Sequence, residues 1–196
     1  MGEVMGRRVG LLTGLLVLTL GSGVVAQSPS PDPVTSAPSD RLAIGQRFEV
    51  PDQGFAVGFP HGWTVEVVDS DLMELMTAQG VHYYFVAAQP VERDETCTVL
   101  VSESTEAATS SMAAAEFADG FRRDAGVTSV ASDIVSLPVG NAPRLDVVLT
   151  NGDGRSMYFF TDDEVVHYWL TCGADHLPGD RWLPVAETFE FLPVEE

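Results

Sequence analysis

Two cysteines, four histidines and 29 carboxylates are the residues of this 196-residue chain able to bind a metal, form a covalent bond or shuttle a proton. Cys97 and Cys172 lack the C-x-x-C spacing of thiol oxidoreductases. No histidine stands at a ligand-like distance from Cys97, so the pair does not specify a structural zinc site. Both follow an N-terminal segment that reads as an export signal, and an even number of cysteines in an oxidising compartment predicts a Cys97 to Cys172 disulfide.

The histidines are spread out. His61 sits in the turn Pro60-His61-Gly62, His82 alternates with aromatic neighbours, and His167 and His176 meet only if the fold brings them together. Imidazole and carboxylate together suit a transition metal, but there is no H-E-x-x-H or other short ligand repeat to arrange them. Asn151, Asp153 and Arg155 offer too few oxygens for an EF-hand loop. No G-x-S-x-G elbow positions Ser102, Ser104 or Ser156, and among so many carboxylates an adjacent pair carries no information. We therefore assign no catalytic residue, no metal and no cofactor. The remaining candidates form a binding surface of His61, Trp63, Tyr84, Tyr158 and Trp169, aromatic and polar groups that a sheet and its loops would have to gather in a cleft.

Arg7 and Arg8, the apolar run from Val9 to Val25 and the small residue Ala26 make up the export signal, residues 1–26. This places the protein outside the cytoplasm, secreted or associated with the cell envelope. A signal retained uncut would act as an anchor; no later segment is long and apolar enough to span a bilayer. Residues 27–40, QSPSPDPVTSAPSD, are a Pro/Ser-rich disordered tether, and 41–196 is one domain. The chain carries 10 basic and 29 acidic residues for a net charge of −19, and contains no lysine. Such an imbalance repels phosphate backbones, so nucleic acid is not an expected partner.

The elements that must position these residues follow from periodicity. Phe55, Val57 and Phe59, then Trp63, Val65 and Val67, give a strand, a turn and a second strand. Residues 71–79 form a short helix or an irregular connection. Strands are expected at 81–88 and 96–102, with Cys97, Val99 and Val101 on one face. Ala113, Phe117, Phe121 and Ala125 recur every four residues, which predicts a helix over 109–125 capped by Gly126. Strands at 127–137, 143–150, 155–161 and 164–172 follow, with Asn151 to Gly154 forming a tight hairpin turn. Trp182, Val185, Ala186 and Phe189 share one face of a terminal helix, with Pro184 in its first turn.

The two ends, FAVGFPHGWTVEV at 55–67 and RWLPVAETFEFLP at 181–193, resemble the start and finish of the PsbP/Mog1-like superfamily, especially its small secreted bacterial members. The layout is similar over residues 48–193. The resemblance implies an α+β fold, an α/β/α sandwich with a central, mainly antiparallel sheet and helices on both faces. It also implies an accessory or interaction protein rather than an enzyme. The export signal excludes the superfamily's nuclear-transport role, and the acidic, lysine-free composition opposes the cationic docking of its photosynthetic members. The expected function is a non-catalytic extracytoplasmic binding or accessory domain whose partner is a protein or small ligand. The alternatives are a small secreted serine-type hydrolase using His61 or His167 with a Ser and an Asp, and a structural component of the cell envelope.

Overall fold

The computed structural model describes residues 42–67, 84–90 by their backbone, 95–104, 107–174 and 179–193. All of these belong to one unit spanning Ala37–Glu196. The export signal, the tether, His82, His176 and the helix or connection expected at 71–79 lie outside the described residues.

The described strands are β1 (Ile44–Val50), β2 (Phe55–Pro60), β3 (Trp63–Val67), β4 (Tyr84–Pro90), β5 (Thr96–Glu103), β6 (Val127–Leu137), β7 (Gly140–Leu149), β8 (Gly154–Thr161), β9 (Val166–Ala174) and β10 (Glu190–Phe191). Helix α1 (Ser110–Arg123) lies between β5 and β6, and the single turn α2 (Leu183–Ala186) precedes β10. Seven strands form one antiparallel sheet in the order β3-β4-β5-β9-β8-β7-β6, and β1-β2-β10 form a second. The result is an α+β fold with two antiparallel sheets, generally consistent with an α/β/α sandwich.

Strand alternation divides the large sheet into two apolar faces. Cys97, Val99 and Val101 of β5, Tyr158 and Phe160 of β8, and Tyr168, Leu170 and Cys172 of β9 are buried against Phe55, Val57 and Phe59 of β2 and against Trp182, Val185, Ala186 and Phe189. Leu145, Val147, Met157 and Phe159 face the other way, where Ala114, Ala118, Phe117 and Phe121 of α1 cover them. The alanines let the helix backbone approach the sheet closely. Phe117 then wedges against Trp169 and Phe159, with ring centroids 4.6 and 5.5 Å away. Thr109 caps the helix, its side chain accepting from the Met112 amide at 3.2 Å.

The far end of α1 differs from expectation. The helix closes at Asp124 in an extended conformation rather than on a left-handed Gly126. The Asp124 carboxylate accepts the Gly126 N–H at 2.8 Å, so a side chain supplies the stop signal that glycine was expected to give.

β2 and β3 also part company. The turn at His61 and Gly62 passes the chain from the small sheet to the large one instead of closing a hairpin. The cause lies in β2, buried along its whole length. Its large residues face the big sheet, while small Ala56 and Gly58 face outward under the C-terminal segment. A Cβ on Gly58 would lie 2.7 Å from the Ile44 side chain and 3.0 Å from that of Thr188. The Thr188 hydroxyl instead accepts the Gly58 N–H at 2.6 Å. The terminal helix is correspondingly short: a 3-10 turn at Asp180–Trp182 leads into α2, and Trp182, Val185, Ala186 and Phe189 all reach the same core, as their spacing predicts.

Cys97 and Cys172 stand opposite each other on neighbouring strands β5 and β9 and form a disulfide with Cα atoms 4.0 Å apart. The bridge joins positions 75 residues apart in the middle of the large sheet. Replacing both cysteines by alanine is expected to lower unfolding free energy by about 2–4 kcal/mol. A urea titration of the two proteins measures this, and coincident midpoints would contradict a stabilising bridge.

Candidate functional site

Of the five residues singled out from the sequence, the four whose side chains are described do not share one cleft. Trp63 is buried, stacked on Phe59 and set edge-on to Trp182 at 6.4 Å. Tyr158 is fully buried in the core between the sheets. Trp169 points to the opposite face of the large sheet, against α1. Tyr84 occupies the β4 position opposite Val101, and its side chain lies outside the described residues. Among the four described, His61 alone is exposed, at the tip of the turn between the sheets. Its ring lies directly on Gly45 of β1, where any Cβ would collide with the imidazole, so the side chain is seated on a flat backbone platform.

A second group forms where β9 begins. His167 stands opposite Ser102 on one side and Thr161 on the other, and all three are drawn into the sheet by its register. Only 3% of His167 is exposed, and neither imidazole nitrogen makes a hydrogen bond of normal geometry. Burial pulls its pKa below the ordinary histidine value, outweighing the Glu164 backbone and the Asp163 carboxylate, which favour the charged form. Asp163 is occupied elsewhere. It accepts the amides of Val165 at 3.0 Å and Val166 at 2.8 Å, and these bonds hold its pKa below the usual carboxylate range. Ser102 thus stands across the ladder from His167, with Asp163 in the turn just before β9, and the imidazole is hydrogen-bonded to neither. A serine hydrolase needs that relay in place.

The adjoining turn is fixed by the same bonding. Glu164 adopts a left-handed φ of 64°, unusual for a residue with a side chain. Its carbonyl accepts from the Ala108 amide at 2.9 Å, and the Val165 carbonyl accepts from Ser104 at 2.8 Å. The turn therefore ties down Ser104 and Ala108, on the way into α1.

A third polar cluster escaped the sequence reading. Arg144 and Asp146 lie on one face of β7, opposite Tyr158 and Ser156 of β8. The Arg144 guanidinium donates to Asp180 at 2.8 Å and lies 3.3 Å from Asp146 and 3.8 Å from Asp133. Burial opposes its charge, but Asp180 and Asp146 more than compensate and raise its pKa. The Ser156 hydroxyl donates to Asp146 at 2.7 Å and accepts the Gly179 amide at 3.1 Å. Tyr158 is held neutral by burial, which pushes its pKa up. Strand alternation about the Asn151 to Gly154 turn contains the signal for the four β7 and β8 members. Nothing local marks Asp180 or Gly179 as their partners. The cluster fastens the C-terminal segment to the sheet, and Ser156, fully buried within it, is closed to substrate.

Among the described residues no group of three or more His, Cys, Asp or Glu side chains is arranged to hold a metal, and no helix is long and apolar enough to cross a membrane. The His167 site sets a pH dependence. A histidine whose folded-state pKa is depressed favours the native state while neutral, so its contribution is intact above the unfolded value of about 6.5 and fades as pH falls through it. Asp163, also depressed, loses its contribution only at more acid pH. His167→Phe is expected to remove the loss of stability that sets in below about pH 6.5 while retaining the more acid limb, as followed by urea midpoints across pH. A profile unchanged by the substitution would show that His167 is not the titrating group. No protein-family model matches the chain, and no curated protein matches it.

Proposed function

We propose that this chain is an extracytoplasmic, non-catalytic binding or accessory domain of PsbP/Mog1-like architecture that works through contacts with a protein or a small ligand. One observation carries the reading: of the groups a hydrolase would need, Ser156 and Asp163 are engaged in holding the fold, and the buried His167 is hydrogen-bonded to neither. Ser156 is bonded inside the Arg144 cluster, His167 is enclosed without a hydrogen-bonded partner, and Asp163 is engaged by backbone amides. The disulfide supports an oxidising location, since such bridges persist outside the reducing cytoplasm. The resemblance of residues 55–67 and 181–193 to the superfamily supports both the architecture and the accessory role.

His61 is the group best presented for contact. Its ring is exposed yet held on the Gly45 backbone, so little side-chain freedom is lost when a partner covers it. Trp63 and Tyr158 act from beneath, keeping the turn and sheet rigid, while Trp169 braces α1.

The test pairs binding with turnover. A photo-cross-linker at position 61 of the full chain, activated in the producing cell's envelope, is expected to give a discrete adduct that the same probe at Ser111 on α1 does not give. The purified protein is expected to turn over no ester, amide or glycoside above buffer. Hydrolysis abolished by Ser102→Ala or His167→Ala would overturn the proposal in favour of an enzyme, as would the absence of any adduct specific to position 61.

A further inference from the structure

Helix α1 covers only part of its side of the large sheet, packing on β6, β7 and β8. Further across, the same face continues over β9 and β5. There Tyr168, Leu170 and Cys172, with Cys97, Val99 and Val101, turn toward the small sheet, so Trp169, Thr171 and Gly173 of β9 and Leu100, Thr98 and Thr96 of β5 turn the other way. The register sets Leu100 opposite Trp169, Thr98 opposite Thr171 and Thr96 opposite Gly173. Gly173 is buried, and the five side chains around it are half-buried.

Arg155 of β8 reaches into this strip. It stands opposite Gly173, where a Cβ would fall 2.1 Å from the Arg155 Nη1 and 2.4 Å from its Cδ. The side chain therefore lies across β9 in the space the missing Cβ leaves, instead of extending into solvent. Arg155 is half-buried, yet it makes no hydrogen bond or ion pair among the described residues. The other described strand arginines differ: Arg47 is paired with Glu49 and Glu190, and Arg144 with Asp133, Asp146 and Asp180. Where carboxylates outnumber basic residues 29 to 10, a partly desolvated guanidinium without a counter-charge is an exception, and it gains by acquiring one.

We infer that Arg155, seated on Gly173, anchors a binding site for a small monocarboxylate with an apolar body. The guanidinium fork matches a carboxylate in two parallel hydrogen bonds, and its seat on the sheet fixes it in advance of binding. Thr98 and Thr171, paired one rung along, add hydroxyl donors and methyl groups. Trp169 and Leu100 lie four residues from the Gly173 rung, about 13 Å along the strands, and receive the apolar end. Few polar groups beside an apolar wall is the usual make-up of a small-ligand site.

Charge and backbone narrow the ligand further. A net charge of −19 repels a polyanion more strongly than a single carboxylate, so one charge is favoured over two. β8, β9 and β5 are interior strands whose backbone groups are engaged by their neighbours. The strip thus offers side chains and no open ladder, which suits a small molecule and gives an extended peptide nothing to pair with. This site shares no residue with the His61 turn; it rests on the reading of the chain as a binding domain and names the class of ligand.

Calorimetric titration of the full chain with phenylbutyrate tests the site. The wild type is expected to bind it, and the Arg155 Nε–H resonance to shift as the site fills. Arg155→Gln is expected to weaken binding about tenfold or more, and Arg155→Lys to recover only part of the loss, because an ammonium lacks the fork. Thr171→Val is expected to weaken it about threefold. Phenylbutanol, which keeps the body without the charge, is expected to bind as weakly as phenylbutyrate binds Arg155→Gln. No binding by the wild type, an unmoved Arg155 resonance, or equal affinity in Arg155→Gln would overturn the inference. So would tighter binding of succinate or inorganic phosphate. Position 61 takes no part in this readout, so failure here and failure of the position-61 adduct are separate results.

Discussion

The ring of Phe189 fixes how the two sheets face each other. It stacks on Phe160 of the large sheet at 4.0 Å and on Phe55 of the small sheet at 6.0 Å, both nearly parallel. Tyr168 meets Phe55 and Phe189 edge-on, and its hydroxyl reaches across to donate to the Gln53 carbonyl at 3.0 Å. Burial raises that phenol's pKa to about 12, so the donor proton stays in place across the biological pH range. Trp63 and Trp182 repeat the arrangement further along. Apolar area supplies the attraction and ring geometry supplies the direction.

Two polar groups inside this frame show different ways of living with burial. Arg144 keeps its charge because carboxylates from β6, β7 and the segment before α2 surround it, and that requirement ties three parts of the chain together. His167 has only the Asp163 carboxylate and the Glu164 backbone to favour its charge, and burial outweighs them. A cation that recruits partners acts as a fastener, whereas an imidazole that lacks them is a cost carried by the surrounding hydrogen bonds of the β8 to β9 turn.

Much of this was legible in the sequence, for identifiable reasons. Alternation is a local property, so the faces of β5, β8 and β9 and the opposition of Cys97 to Cys172 follow once the strands are placed. The helical repeat of Ala113, Phe117 and Phe121 likewise told which side α1 would bury. Sheet membership is different, because it depends on which distant strand wins the pairing; nothing between Phe59 and Trp63 announces that the chain changes sheets there. The same limit hid Asp180 and Gly179, whose partners lie more than a hairpin away. Among the described side chains of the candidate site, His61 has the exposure its turn suggested. Aromatic residues in strands serve binding and packing equally well by composition, and Trp63 and Tyr158 went to packing.

The central position of β2 carries a consequence for how the molecule comes into being. Its neighbours are β1, a few residues before it, and β10, which with Thr188 is supplied by chain 130 residues later. During synthesis, β2 must wait with its Ala56 and Gly58 face uncovered and one edge unpaired until that late segment emerges. Loop closure over such a span is slow relative to local hairpins. The meander from β6 to β9 can form early, but the segment that completes the small sheet arrives last, so this side of the nascent protein stays open until nearly all of the domain has been made.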